Sequence, residues 1–152
     1  MSHVLFLGLL LLTAYFFALL EIQIEGPHGW ASTLPTWRFE TRWSRALLGK
    51  RSITGYHVFF QLFVLTVLHL PYAIGNLGFS WTVELRIVAF ALLFWVVEDF
   101  LWFVCNPAYG VRGFKPERAW WHAPNWWWFM PRDYWVFTPL GVLLYLLSYR
   151  LT

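Results

Sequence analysis

Four long apolar runs separated by polar connections set the pattern of this chain. Val4–Ile24 carries no charge before Glu21, and Tyr56–Ile74 is oily apart from His57, Gln61 and His69. Leu85–Cys105 is interrupted by Arg86, Glu98 and Asp99, while Tyr134–Tyr149 is shorter and contains Pro139. A helix needs about 20 residues, at about 1.5 Å each, to cross a hydrocarbon core of about 30 Å. The first three runs reach that length. The fourth reaches it if it tilts, begins at Pro131 or lies in a thinned bilayer. The pattern predicts an all-α integral membrane protein: a four-transmembrane-helix bundle forming a single polytopic domain over residues 1–152. Its spans fall near 4–24, 56–74, 85–105 and 133–149.

The punctuation agrees with these limits. Gly26-Pro27 stops the first helix, Pro71 lies near the end of the second and Asn106-Pro107 stops the third. Ser80 suits the N-cap of the third, with Glu84 against the positive end of its dipole. Pro131 suits the first turn of the fourth, where its missing N–H costs nothing. Met1-Ser2-His3 has no Lys or Arg, and no small-x-small cleavage motif precedes Glu21, so the first run is expected to be a retained helix rather than a signal peptide. Within the first connection, Trp37–Leu48 places Arg38, Arg42 and Arg45 on one helical face and Phe39, Trp43, Ala46 and Leu47 on the other. That is the pattern of an amphipathic helix lying in the membrane interface.

Composition removes the main alternative. Charged residues make up 12% of the chain, hydrophobic ones 59% and aromatic ones 22%, and the mean hydropathy is +0.53. Soluble domains carry about 25% charged residues, so half that proportion cannot coat a globule in water. The formal charge of +3 includes no continuous basic stripe, which argues against nucleic acid as a partner. One cysteine, Cys105, excludes an internal disulfide and a thiolate zinc cage.

The basic residues also orient the chain. Nine of the eleven lie in residues 25–55 and 106–133, whereas the connection Ala73–Ser80 has no charge. The positive-inside rule then puts the first and third connections in the cytoplasm and both termini outside, in a multi-pass inner (plasma) membrane protein. Trp120–Trp135 holds six tryptophans, suited to an aromatic belt at headgroup depth or to the wall of a pocket for a flat apolar ligand.

Ionisable residues gather in the same leaflet. Glu21 and Glu25 end the first helix on one face, His28 follows the Gly-Pro break and His57 begins the second span. Glu98 and Asp99 lie about 10 Å inside the end of the third span at about 1.5 Å per residue. His122 and Asp133 complete the set. A carboxylate at mid-membrane costs about 2.5–3.5 kcal/mol on the lenient insertion scale. An adjacent pair therefore calls for a cation, a shared proton, a histidine or an arginine beside it. Glu98 and Asp99 are the candidate catalytic residues. Glu25, His28, His57, Glu98, Asp99 and His122 are the candidate ligands for a divalent metal, and their oxygen and imidazole donors suit iron, manganese or zinc. Glu25-Gly26-Pro27-His28 has the Glu-x-x-His spacing of carboxylate-bridged bundles. Plainer roles exist for each: Glu21 and Asp133 as ion-pair or cap residues, His69 and Gln61 as interhelical hydrogen bonders, Cys105 as a small apolar filler.

Glu98-Asp99-Phe100-Leu101-Trp102-Phe103 resembles the acidic-pair helix of membrane-embedded lycopene cyclases, which protonate a polyene without metal. Phe94, Trp95 and Val96 stand where those enzymes usually have a proline, and those enzymes have more spans. No family follows from six residues. The expected function is a membrane-embedded, metal-dependent enzyme acting on an apolar or lipid-like substrate near the cytoplasmic leaflet. A non-catalytic accessory subunit of a membrane complex and a proton- or ion-conducting oligomer are the alternatives.

Overall fold

The computed structural model describes residues 2–49 and 51–151. Lys50, one of the basic residues of the first connection, lies outside the described residues, as does the side chain of Leu47. The chain is mostly helical. Helix α1 covers His3–Glu25, α2 Arg42–Leu48, α3 Gly55–Ile74, α4 Trp81–Cys105 and α5 Arg132–Leu147. Two minimal antiparallel ladders join the connections, β1 (Arg38–Phe39) with β2 (Ile53–Thr54) and β3 (Trp126–Trp127) with β4 (Met130–Pro131).

The four long apolar runs are all helices, and α1, α3 and α4 are long and apolar enough to cross a membrane. Helix α5 has 16 residues, which spans about 24 Å at about 1.5 Å per residue and falls short of a full core. Chemistry at the ends is as local as expected. Ser2 accepts the Leu5 N–H at 3.2 Å, and Thr54 accepts the His57 N–H at 3.2 Å, each satisfying a donor that the first turn leaves free. Ser80 sits at the N-cap of α4 without making that bond.

Helix α4 is the centre of the fold, with α1 and α5 packed against it. On α1 the buried stripe Phe6, Leu10, Ala14, Ala18 and Ile22 repeats every four residues, so one face meets α4. Ala14, Ala18, Ala89 and Gly141 keep the backbones close, and a Cβ on Gly141 would come within 2.8 Å of Leu93. Such close approach favours helices that must associate by packing rather than by escape from water. Phe6, Phe94 and Tyr145 fill one end of this seam; Trp102, Phe103 and Trp121 fill the other. Helix α3 leans on α4 more lightly, and Gly55 is the one residue along it that is buried. The remaining faces of the long helices carry exposed Leu, Phe and Val side chains all round, as lipid contact would require.

The amphipathic segment is shorter than its sequence predicts. Trp37–Leu48 is not one helix: Arg38 and Phe39 form β1, and α2 begins only after Thr41, whose capping box with Ser44 starts it there. Arg38 points back to donate to the carbonyl of Ala31, so it braces the connection instead of continuing the helical face of Arg42 and Arg45, both of which are exposed. Trp37, Phe39 and Trp43 are exposed beside them.

Candidate functional site

All four long helices bring polar groups to the end that carries the two long connections. There they surround a cavity of about 290 Å³ lined by residues of α1, α3, α4, α5 and both connections. Glu21 and Glu25 reach it from the last turns of α1, one turn apart on the same face. His57 enters from the first turn of α3. These three offer ligand atoms that all lie within 4.8 Å of one another. The Tyr56 hydroxyl donates to Glu21 at 3.2 Å, and His57 Nε2 stands 4.0 Å from Glu25 Oε1, too far for a direct hydrogen bond. His57 Nδ1 shares a 2.6 Å hydrogen bond with the Thr54 hydroxyl, which leaves Nε2 turned toward the acids.

The first connection locks this corner. Gly29, Trp30 and Ala31 follow one another with φ of +63°, 51° and 49°, a left-handed run that two residues with side chains adopt at a cost of about 1–3 kcal/mol each. Its product is the Ala31 N–H aimed at the Glu25 carboxylate. A Cβ on Gly29 would enter the Trp121 ring at 2.4 Å, so this position takes glycine for space as well as for φ. The indole of Trp30 is stacked on His57 at 4.1 Å between centroids, has Arg51 over its other flank at 4.8 Å, and donates to Ser52 O at 2.9 Å. Asn106, at the end of α4, donates to Gly26 O at 2.9 Å, and the Tyr109 hydroxyl donates to Pro27 O at 3.0 Å, tying the α1 exit to the third connection.

Glu98 and Asp99 point in different directions, since successive helical residues diverge by about 100°. Asp99 accepts from His122 Nε2 at 3.1 Å and from the Tyr134 hydroxyl. Glu98 is 3% exposed, its carboxyl lies beside that of Glu21, and its Oε1 has no hydrogen-bond partner. Trp102 Nε1, one turn further along α4, and His122 Nδ1 are likewise buried and unpartnered. Each such atom costs about 1–3 kcal/mol when nothing fills its valence, and all three belong to residues that line the cavity. At the mouth, Arg51 is buried and its Nη2 donates to Asp133 Oδ2 at 2.6 Å, with Arg132 on the other oxygen at 3.3 Å.

Of the residues expected from sequence, Glu25, His57, Glu98, Asp99 and His122 line this one cavity. Asp99 and His122 are engaged with each other on a wall apart from the compact trio. His28 is exposed and does not line the cavity, because α1 ends at Glu25 and the Gly26-Pro27 turn carries it outward. The Glu-x-x-His spacing is therefore not a helical one. Arg51, Trp30 and Tyr134 belong to the site and were not expected there, and Glu21, placed at this end by the sequence but read as an ion-pair or cap residue, belongs to it as well. For Glu21 a signal existed, the same-face spacing to Glu25. The tryptophan-rich segment divides: Trp121 is buried against Trp102 and Phe103, while Trp127, Trp128 and Phe129 are exposed.

Comparison with protein families, curated proteins and solved structures finds no match to this chain.

Proposed function

We propose that this protein is a metal-dependent enzyme of the plasma membrane that acts on an apolar or lipid-like molecule. In this reading α1, α3, α4 and a tilted α5 form a four-span bundle with both termini outside, and the cavity opens near the cytoplasmic leaflet. The observation that carries it is the convergence of Glu21, Glu25 and His57 within 4.8 Å beside the unpartnered Glu98. An ion such as iron, manganese or zinc bonds nitrogen and oxygen at about 2.0–2.2 Å, so donors spread over up to 4.8 Å would draw together to about 3.4 Å to hold one tetrahedrally. His57 suits the role because an ion on Nε2 requires the proton on Nδ1, where Thr54 accepts it, the outer bond that orients metal-bound histidines.

The ion would polarise a substrate oxygen or activate a water. Asp99, His122 and Tyr134 form a hydrogen-bonded relay on the adjoining wall, suited to moving a proton to or from the bound molecule. This divides the predicted roles: Glu21, Glu25, His57 and Glu98 hold the ion, and Asp99 with His122 handles the proton.

Metal analysis of the purified, untagged protein tests the proposal directly. One equivalent of iron, manganese or zinc is expected, and a metal-free protein that retains its fold would leave a proton-sharing carboxyl cluster or a non-catalytic subunit instead. Orientation is tested separately, in a background with Cys105 replaced by Ser. A membrane-impermeant thiol reagent applied to intact cells is expected to modify Gly78→Cys and spare Glu40→Cys, both of which are exposed positions. The opposite pattern inverts the topology.

A further inference from the structure

The lining of the cavity reaches the exposed surface of two helices, and its chemistry narrows the ligand. Gln61 of α3 and Phe137 of α5 both line it, and both are exposed. They lie six and five residues into their helices, about 8–9 Å along the axis at about 1.5 Å per residue, which is hydrocarbon depth for membrane-spanning helices. Between them and the acids run Phe60, Trp95 and Val96. The space therefore leads from a polar end beside the carboxyls to an apolar doorway facing the lipid, flanked by the helix that packs most lightly on the rest. At about 290 Å³ the cavity sits at the small end of ligand pockets, which run from about 300 to 1,000 Å³. It can enclose a head group and the first carbons of a chain. A longer chain must lie outside.

The polar end selects against anions. Five carboxyls line it, Glu21, Glu25, Glu98, Asp99 and Asp133, and the one guanidinium among the lining residues, Arg51, is already bonded to Asp133. Even with a divalent ion held among them, the ionised acids and Arg51 leave this end net negative, so an anionic head group meets no net counter-charge, whereas the buried and unpartnered Trp102 Nε1 is a donor suited to an uncharged oxygen. We infer that the ligand is an uncharged single-chain lipid with an oxygen-bearing head group, such as a long-chain alcohol, its head beside Glu98 and its tail leaving between Gln61 and Phe137. This rests on the proposed lipid-acting site and names the class of molecule that the site takes.

The test uses the full-length protein in detergent micelles and a long-chain alcohol carrying a diazirine midway along its chain. Irradiation is expected to label α3 around Gln61 and α5 around Phe137, with protection by unlabelled alcohol. The carboxylic acid of the same chain, ionised at neutral pH, is expected to protect about tenfold more weakly, because its charge must leave water for a site whose carboxyls outnumber its cations. Gln61→Trp narrows the doorway from an exposed position and is expected to cut labelling about tenfold while leaving metal content and thermal stability unchanged. If that variant fails to fold, Phe137→Trp makes the same test from the opposite side. Labelling spread evenly over the outer face of α3, including Phe59 and Phe63, or equal protection by the acid, overturns the inference. Metal content is read in parallel: a metal-free protein labelled at the doorway sinks the metal proposal and keeps this one, and a metal-bound protein labelled at random does the reverse.

Discussion

On the proposed metal site, Glu98→Gln is expected to remove most of the ion while leaving the helices in place. The amide keeps the shape of the side chain but is a poorer ligand than a carboxylate, and Glu98 stands beside Glu21 with one oxygen committed to nothing else in the protein. His57→Ala and Glu21→Gln should lower metal content as well, because the donors come from α1, α3 and α4 and would share a single ion. His28→Ala should have no effect, since that side chain is exposed and away from the cavity. The measurement is metal per protein by elemental analysis on folded, untagged material. Structural ion pairs predict another result, with metal content unchanged and stability lowered. A proton shared between carboxyls predicts a third: no metal in the parent protein, and a carboxyl stretch in the infrared at neutral pH that shrinks in Glu98→Gln.

Arg51→Met should be the most destabilising single change in the connections, by about 3 kcal/mol. Removing one partner of a fully buried pair costs about 3–5 kcal/mol because the other is left without compensation, and the partial exposure of Asp133, with Arg132 on its second oxygen, places this case at the low end. More than the pair is lost: Arg51 also donates to Leu48 O at 2.9 Å and lies over the Trp30 ring that stacks on His57. Arg51→Met should therefore loosen His57 and lower metal affinity as well as the unfolding midpoint in detergent. The double variant Arg51→Met, Asp133→Leu should recover part of the stability, since two apolar groups replace the pair and the partly exposed Arg132, which loses Asp133, can turn to water. A midpoint that does not move in Arg51→Met would show the pair to be solvated.

The two lengths at which the chain is organised explain which of these features could be read in advance. Hydrophobic runs of about 20 residues translate directly into helices, because the backbone must satisfy its own hydrogen bonds wherever water is absent. Limits such as Gly26-Pro27 and Asn106-Pro107 were legible for the same local reason. The gathering of acids and histidines at one end followed from helix direction alone: residues at the end of α1 and α4 and at the start of α3 and α5 share a side in any alternating arrangement. What failed was the reading of a segment whose partners lie outside it. The 100° periodicity of Trp37–Leu48 is real, but Arg38 gains a carbonyl partner at Ala31 and a strand partner at Thr54, and those non-local bonds outweigh helical continuity.

The sequence by itself determined the apolar class of this protein, its long helices, the clustering of its basic residues and the end at which its ionisable groups collect. All of these depend on composition and period within a single segment. Tertiary structure decided the partnerships. Glu21 joined Glu25 and His57 because α3 begins beside the exit of α1, and Asp99 was drawn to His122 and Tyr134 because α5 packs on α4. His28 was carried outward by the Gly26-Pro27 turn that ends α1, and Arg51 reached Asp133, 82 positions further along the chain. Which carboxylate meets which imidazole is set by contacts between segments far apart in the chain, and a one-dimensional pattern of hydrophobic and polar positions carries no record of that distance.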